Sequence, residues 1–296
     1  MSSQTDHKPM KFAVLGKSGQ LAQALRRAGE TRGHQLFFLG RDSCDLTASE
    51  TVISQALARL PQIDAVINAA AYTQVDRAED AVDEAMQLNR TAPASLARFS
   101  KGRDIPLIHI STDYVFDGTA NTPYLPTDET SPINAYGRSK LAGEQAVMTY
   151  AKATVLRTSW LYDGFGRNFF TTMARKMGEV EALRIVADQY GRPTHTRTLA
   201  DACFAALQNP NPGLYHVTDS GPITHWADFA RAIFERAPKG LPLVPVVTDI
   251  SSSDYPTPAA RPKFSALETQ AFEITFGCDL PDWRDMVDVA WAEFVT

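Results

Sequence analysis

The sequence has little cysteine, no long apolar run and no excess of positive charge, and each shortage removes a class of protein. Cys44, Cys203 and Cys278 are three cysteines far apart, with no Cys-x-x-Cys pair and no cysteine/histidine cluster. That pattern argues against a disulfide framework and a zinc site and suits a reducing compartment, so a cytoplasmic location is expected. No stretch of about eighteen apolar residues occurs, and no membrane partner is expected. With 29 basic and 34 acidic residues the net charge is -5, which leaves no global positive field for nucleic acid. Residues 1–9 are polar and read as a disordered tail, not as a signal peptide. His195, His216 and His225 lack metal-ligand spacing, so no metal site is expected. His109 sits in an apolar run and reads as a packed core histidine. Asp76, Glu79, Asp80, Asp83 and Glu84 read as a solvated acidic helix face.

What is present is an alternation. Residues 12–15 are apolar and end at Gly16-Lys17-Ser18-Gly19-Gln20-Leu21-Ala22, after which Leu21, Ala24, Leu25 and Ala28 recur at helical spacing. This is strand, glycine turn, helix. Further strands are expected at 35–39, 65–68, 107–110 and 154–156, separated by helical stretches at 47–60, 76–101 and from Tyr136 to about Tyr150. Strands and helices alternating at this spacing predict an α/β fold, a Rossmann-type doubly wound parallel sheet, because each right-handed crossover needs a helix to return the chain. Beyond about Trp160 the pattern weakens to helices at 169–177 and 198–208 and a strand at 183–186. Proline-rich stretches at 209–213 and 238–262 read as loops. The expected division is a tail over 1–9, a nucleotide-binding domain over 10–160 rejoined by about 183–208, and a smaller, partly discontinuous substrate domain over 161–182 and 209–296.

The chemistry concentrates in a few segments. Tyr136 and Lys140 are four apart on a helix and share one face. A fixed ammonium favours the phenolate and moves a phenol's pKa down from its usual ~10, so such a tyrosine can give a proton to a carbonyl oxygen. Alone, the spacing equally describes a surface pair. Gly16-x-x-Gly19-x-x-Ala22, with Ser18, Gln20 and Leu21 in the turn, allows close approach of a pyrophosphate to the next helix's N-terminus. The competing reading is a glycine turn with no ligand. After the second strand, Arg41 suits a 2′-phosphate and Asp42 suits ribose hydroxyls. Arg41 comes first, which favours NADPH with NADH tolerated.

Small side chains at Asn68-Ala69-Ala70-Ala71-Tyr72 follow the third strand, where open α/β sheets take ligands, so Ala69, Ala70, Ala71 and Tyr72 are expected beside the cofactor. Ser111-Thr112-Asp113 ends the fourth strand. A hydroxyl there would hydrogen-bond the oxygen on which Tyr136 acts, with Thr112 the first choice and Ser111 the alternate.

Taken in order, these segments resemble the extended short-chain dehydrogenase/reductase family, and within it the reductases of dTDP-linked 4-ketosugars. The likeness spans nearly the whole chain after the tail. It is carried by the glycine turn, Ser111-Thr112-Asp113-Tyr114-Val115-Phe116, Tyr136-Gly137-Arg138-Ser139-Lys140, Arg157-Thr158-Ser159-Trp160 and Asp188-Gln189-Tyr190-Gly191-Arg192-Pro193-Thr194. The resemblance implies an oxidoreductase of nucleotide-sugar and polysaccharide biosynthesis that reduces the C4 ketone of dTDP-4-dehydro-L-rhamnose with NADPH or NADH. It implies Thr112, Tyr136 and Lys140 as catalytic, with Tyr136 and Lys140 also on the cofactor. It places Asp45 and Leu46 by the adenine, Thr112, Asp113, Tyr136 and Trp160 on the substrate, and Arg261 near a phosphate. The expected state is monomer or homodimer. Two rivals share the fold: a nucleotide-sugar epimerase or dehydratase, and a non-catalytic NADP-binding regulatory subunit of methionine adenosyltransferase.

Overall fold

The computed structural model describes residues 9–238 and 244–296. The tail expected over 1–9 therefore lies, Pro9 apart, outside the described residues, as does part of the stretch at 238–262.

In the first half, strand and helix alternate: β1 (Lys11–Leu15), α1 (Gln20–Thr31), β2 (Gln35–Leu39), α2 (Glu50–Ala58), β3 (Ala65–Asn68), α3 (Val82–Met86), α4 (Ala92–Arg103), β4 (Leu107–Thr112), α5 (Ala135–Val147) and β5 (Ala153–Thr158). The second half holds β6 (Leu161–Tyr162), α6 (Phe169–Lys176), β7 (Ala182–Val186), β8 (Tyr190–Gly191), β9 (Thr194–His195), α7 (Thr196–Gln208) and β10 (Gly213–His216). It ends with β11 (Thr224–His225), α8 (Trp226–Glu235), β12 (Val246–Ile250), α9 (Gln270–Phe276) and α10 (Trp283–Phe294).

Six strands form one parallel sheet in the order β10-β5-β4-β3-β1-β2. The chain steps from β1 outward to β2, then returns to β3 on the other side of β1. The direction of winding therefore reverses between β1 and β3, and the carboxyl ends of those strands open a crevice. All of β3 and β5 is buried, as a sheet covered on both faces requires. Leu25, Leu199, Phe204 and Phe272 cover one face, and Ile53, Leu57, Leu96 and Val147 cover the other. Truncating a fully buried leucine such as Leu25 to alanine would cost about 2–5 kcal/mol.

A separate aromatic core, with Phe170, Phe229, Trp283 and Trp291, joins α6, α8 and α10 into a second lobe. Among the described residues no helix is long and apolar enough to cross a membrane.

Three local expectations change. The helix expected over 76–101 is broken into a turn at Arg77–Glu79, then α3, a π-helical turn at Gln87–Thr91, and α4. Pro93 has no N–H to donate to the Asn89 carbonyl, and the helix widens there. The strand expected at 183–186 pairs with β12 in a small sheet of its own, not with the main sheet. Residues 213–216, grouped by sequence with the substrate domain, form the main sheet's sixth strand beside β5, while α7 packs on α1. Both short strands, β10 and β12, lie next to or inside proline-rich punctuation that reads as loop.

Candidate active site

The nucleotide end of the crevice is set by the turn after β1. Gly16 has φ +108°, and a Cβ there would lie 3.2 Å from the Ala69 carbonyl carbon, so only glycine lets β1 and β3 end this close together. Gly19 is the N-cap of α1; it offers no side-chain cap, and the first turn holds no acidic residue. The first N–H groups of α1 are left for a ligand. Space over Gly19 is open, with nothing within 4 Å of a built Cβ. An anionic phosphate fits such an end, both by hydrogen bonding and by the helix dipole.

The other end of the cleft lies across the carboxyl end of β4. The Asn134 side chain caps α5 by accepting from the Gly137 N–H at 2.7 Å, which fixes the helix start beside β4. Tyr136 is half-buried, and the Thr112 hydroxyl lies beside its phenol. Thr112 also donates to Asp113 Oδ1 at 3.0 Å and accepts from the Tyr114 N–H at 3.2 Å. Ser111 is buried as well, but among the described residues its hydroxyl has no hydrogen-bond partner. Of the two hydroxyls, Thr112 is the one that opposes the rise of the Tyr136 phenol.

Charge in this corner differs from the simple expectation. Lys140 is buried, and its ammonium donates to the Ile110 carbonyl at 2.6 Å. Burial pulls the Lys140 pKa down to about 8, with the Glu144 carboxylate pulling the other way. Burial pushes the Tyr136 phenol up to about 12; the Thr112 hydroxyl opposes this and the Asp113 charge adds to it. The sequence-based expectation of a phenol lowered by its lysine is not met, because burial dominates and the ammonium is fastened to the backbone. Asp113 is raised to about 6 by burial, partly offset by the hydroxyls of Ser265 and Thr112. His109 is buried against Asn68 at 3.0 Å and held well below its usual pKa by burial, then by the Lys140 charge, as suits a core residue and not a base.

One cleft of about 1110 Å³ joins the two ends. It is larger than a typical drug-sized site of ~300–1,000 Å³, so a dinucleotide and a second ligand can share it. Gly16, Ser18, Gly19, Gln20, Leu21, Arg41, Asp45, Leu46, Ala69, Ala70, Ala71, Thr112, Asp113, Tyr136, Lys140 and Trp160 all line it. Tyr72 does not. It is buried beneath, its backbone N–H and carbonyl held by the Asn89 side chain at 2.8 and 3.1 Å. Asn89 also donates to Ser139 at 2.9 Å, which ties the widened helix turn to α5.

Arg261 is not in the cleft lining; its guanidinium bonds Asp76 at 2.9 Å and the Ala259 carbonyl at 2.8 Å. Asp76 and Glu79, on the face expected to be solvated, are thus only partly exposed and hold partners. Glu79 accepts from the Ala135 N–H at 2.7 Å at the start of α5.

Sequence reasoning missed several lining residues, among them Tyr114, Thr158, Asp163, Phe165 and Arg167. The glycine spacing in Asp163-Gly164-Phe165-Gly166-Arg167 was the available signal. Trp160, which also lines the cleft, has φ +47°, an unusual conformation for a bulky residue. Its indole stacks on Trp226 with ring centroids 3.7 Å apart, and a Cβ on Gly191 would lie 3.0 Å from it. Among the described residues no cluster could hold a metal ion.

A parallel doubly wound sheet with an uncapped glycine turn at one end of a cleft and Thr112, Tyr136 and Lys140 at the other is the frame of a nucleotide-dependent oxidoreductase. The chain belongs to the family described as RmlD substrate binding domain, whose model matches residues 10–295. It is 40% identical over 292 residues to the dTDP-4-dehydrorhamnose reductase of Sinorhizobium fredii, covering 96% of this chain and 97% of that one. A dTDP-4-dehydrorhamnose reductase structure from Clostridium acetobutylicum superposes with TM-score 0.90 at 33% identity, covering 97% and 100% of the two chains. The Bacillus anthracis enzyme of that name, solved in complex with NADP, gives TM-score 0.90 at 31% identity and the same coverage.

Proposed function

We propose that this protein reduces the C4 ketone of dTDP-4-dehydro-L-rhamnose to dTDP-L-rhamnose, with NADPH as cofactor and NADH tolerated. The observation that carries the reading is the meeting of Tyr136 and Thr112 in the cleft that Gly16 and Gly19 open at the other end. Family membership over residues 10–295 supports the substrate class.

Gly16, Ser18, Gly19, Gln20 and Leu21 would hold the pyrophosphate against α1, Arg41 the 2′-phosphate, Asp45 and Leu46 the adenine, and Ala69 to Ala71 the flat faces. Bound NADPH supplies the hydride. As the ketone is reduced its oxygen gains negative charge, and Tyr136 donates the proton that neutralises it while Thr112 orients the phenol. Asp113 and Trp160 position the sugar. Lys140 supplies positive charge beneath the phenol and holds α5 to β4. The lobe built on α6, α8 and α10 carries the sugar nucleotide, and the enzyme works in the cytoplasm.

Substrate choice is tested with a panel of 4-ketosugars linked to dTDP, UDP and GDP. The reading expects the dTDP sugar to be reduced fastest; a preference for another base would refute that part of it.

A further inference from the structure

The described cleft lining has four cations, Lys17, Arg41, Lys140 and Arg167. Two diphosphates must enter, one on the dinucleotide and one on the sugar nucleotide. Lys17 is paired with Asp42 at 2.8 Å, and Lys140 is buried with its ammonium on the Ile110 carbonyl. Arg41 lies by Asp45, at the adenine end. Arg167 is exposed and, among the described residues, has no ion pair or side-chain hydrogen bond.

Its mount is built. Arg167 closes the loop Asp163-Gly164-Phe165-Gly166 between β6 and α6. Asn168 donates to the Asp163 and Phe165 carbonyls, each at 3.0 Å. The Gly166 carbonyl accepts from Thr171 at 3.2 Å and from Arg175 at 3.1 Å. Arg27 of α1 lies 4.3 Å over the Phe165 ring and 3.7 Å from the Asp163 carboxylate. The loop is thus fastened to the helix whose uncapped N-terminus opens on the cleft. An unpaired guanidinium on a fixed loop there is a positive charge without a protein counterpart.

We propose that Arg167 binds diphosphate oxygens in the cleft, on the nicotinamide dinucleotide or on the nucleotide sugar. A guanidinium offers two parallel N–H donors, which match neighbouring phosphate oxygens. The inference rests on the reading of the cleft as a nucleotide site.

The test is isothermal titration of NADP⁺ and of dTDP, separately, into wild type, Arg167→Ala and Arg167→Lys, with thermal midpoints recorded. Arg167→Ala is expected to weaken one of the two ligands about tenfold, with an unchanged midpoint. Loss for NADP⁺ assigns the arginine to the dinucleotide, and loss for dTDP assigns it to the sugar nucleotide. Arg167→Lys falls between the two proteins, and added salt narrows the gap between wild type and Arg167→Ala. Unchanged affinity of Arg167→Ala for both ligands overturns the proposal. Wild type that binds neither NADP⁺ nor dTDP removes the nucleotide reading and this proposal with it.

Discussion

The Lys140 ammonium donates to the Ile110 carbonyl at 2.6 Å, so the lysine of the Tyr-x-x-x-Lys pair is fastened to β4 and not to the phenol one turn away. The neighbour of the Tyr136 phenol is instead Thr112. On the proposed mechanism the lysine contributes charge and holds the helix, and the tyrosine, its pKa raised by burial, is the proton donor.

Tyr136→Phe removes only the hydroxyl. The ring keeps its T-shaped contact with Tyr114 at 5.7 Å, so the fold is retained. Turnover should fall about 10²–10⁴-fold while NADPH affinity, measured by fluorescence titration, stays near wild type. Turnover close to wild type would show that another group is the acid.

Lys140 sets an alkaline limit. Its pKa of about 8 means the ammonium is lost above that pH, and kcat/KM should decline there. Stability should move the other way. Between about 8 and the ordinary lysine value of 10.5 the unfolded chain binds the proton that the folded chain has released, so this group adds stability as pH rises. Lys140→Met should remove that rise, as read from urea midpoints across the window.

Asp113 is held at a cost. Its pKa of about 6 against a usual 3.8 means that between those values the folded protein binds more protons than the unfolded one, so stability from this group falls as pH rises and stays reduced above about 6. Asp113→Asn keeps an acceptor for Thr112 and should stabilise the protein at neutral pH by on the order of 2 kcal/mol, while raising KM for the sugar nucleotide. A lower denaturation midpoint would contradict this account.

Beneath α5, Arg157 and Glu144 form a bidentate pair at 2.9 and 2.7 Å, with side chains 4% and 3% exposed. Glu144→Ala leaves the guanidinium buried without its carboxylate and should cost about 3–5 kcal/mol in chemical denaturation. Replacing both partners by methionine should cost less than either single truncation.

The sheet was legible because β1 and β3 carry the short apolar runs Phe12–Leu15 and Ala65–Ile67 that strands covered on both faces need, and because Gly16, Gly19 and the Tyr136–Lys140 spacing are local patterns. What escaped depends on distance along the chain. Asp76 reads as solvated until Arg261, 185 residues on, is folded against it. Tyr72 reads as a cofactor neighbour until the π-turn before Pro93 places Asn89 beneath it. The lysine's effect on Tyr136 was misjudged because burial, the larger influence on that phenol, has no signature in spacing. Trp226 gives no hint that it stacks on Trp160 across the second lobe.

The central claim is that the cleft carries out a net reduction, and the direct measurement is stoichiometry. Purified protein is incubated with dTDP-4-dehydro-L-rhamnose and NADPH, and NADPH loss at 340 nm is compared with dTDP-L-rhamnose formed. The account predicts one NADPH oxidised per sugar reduced. Sugar conversion without net NADPH oxidation, or NADPH binding with no conversion, would contradict it.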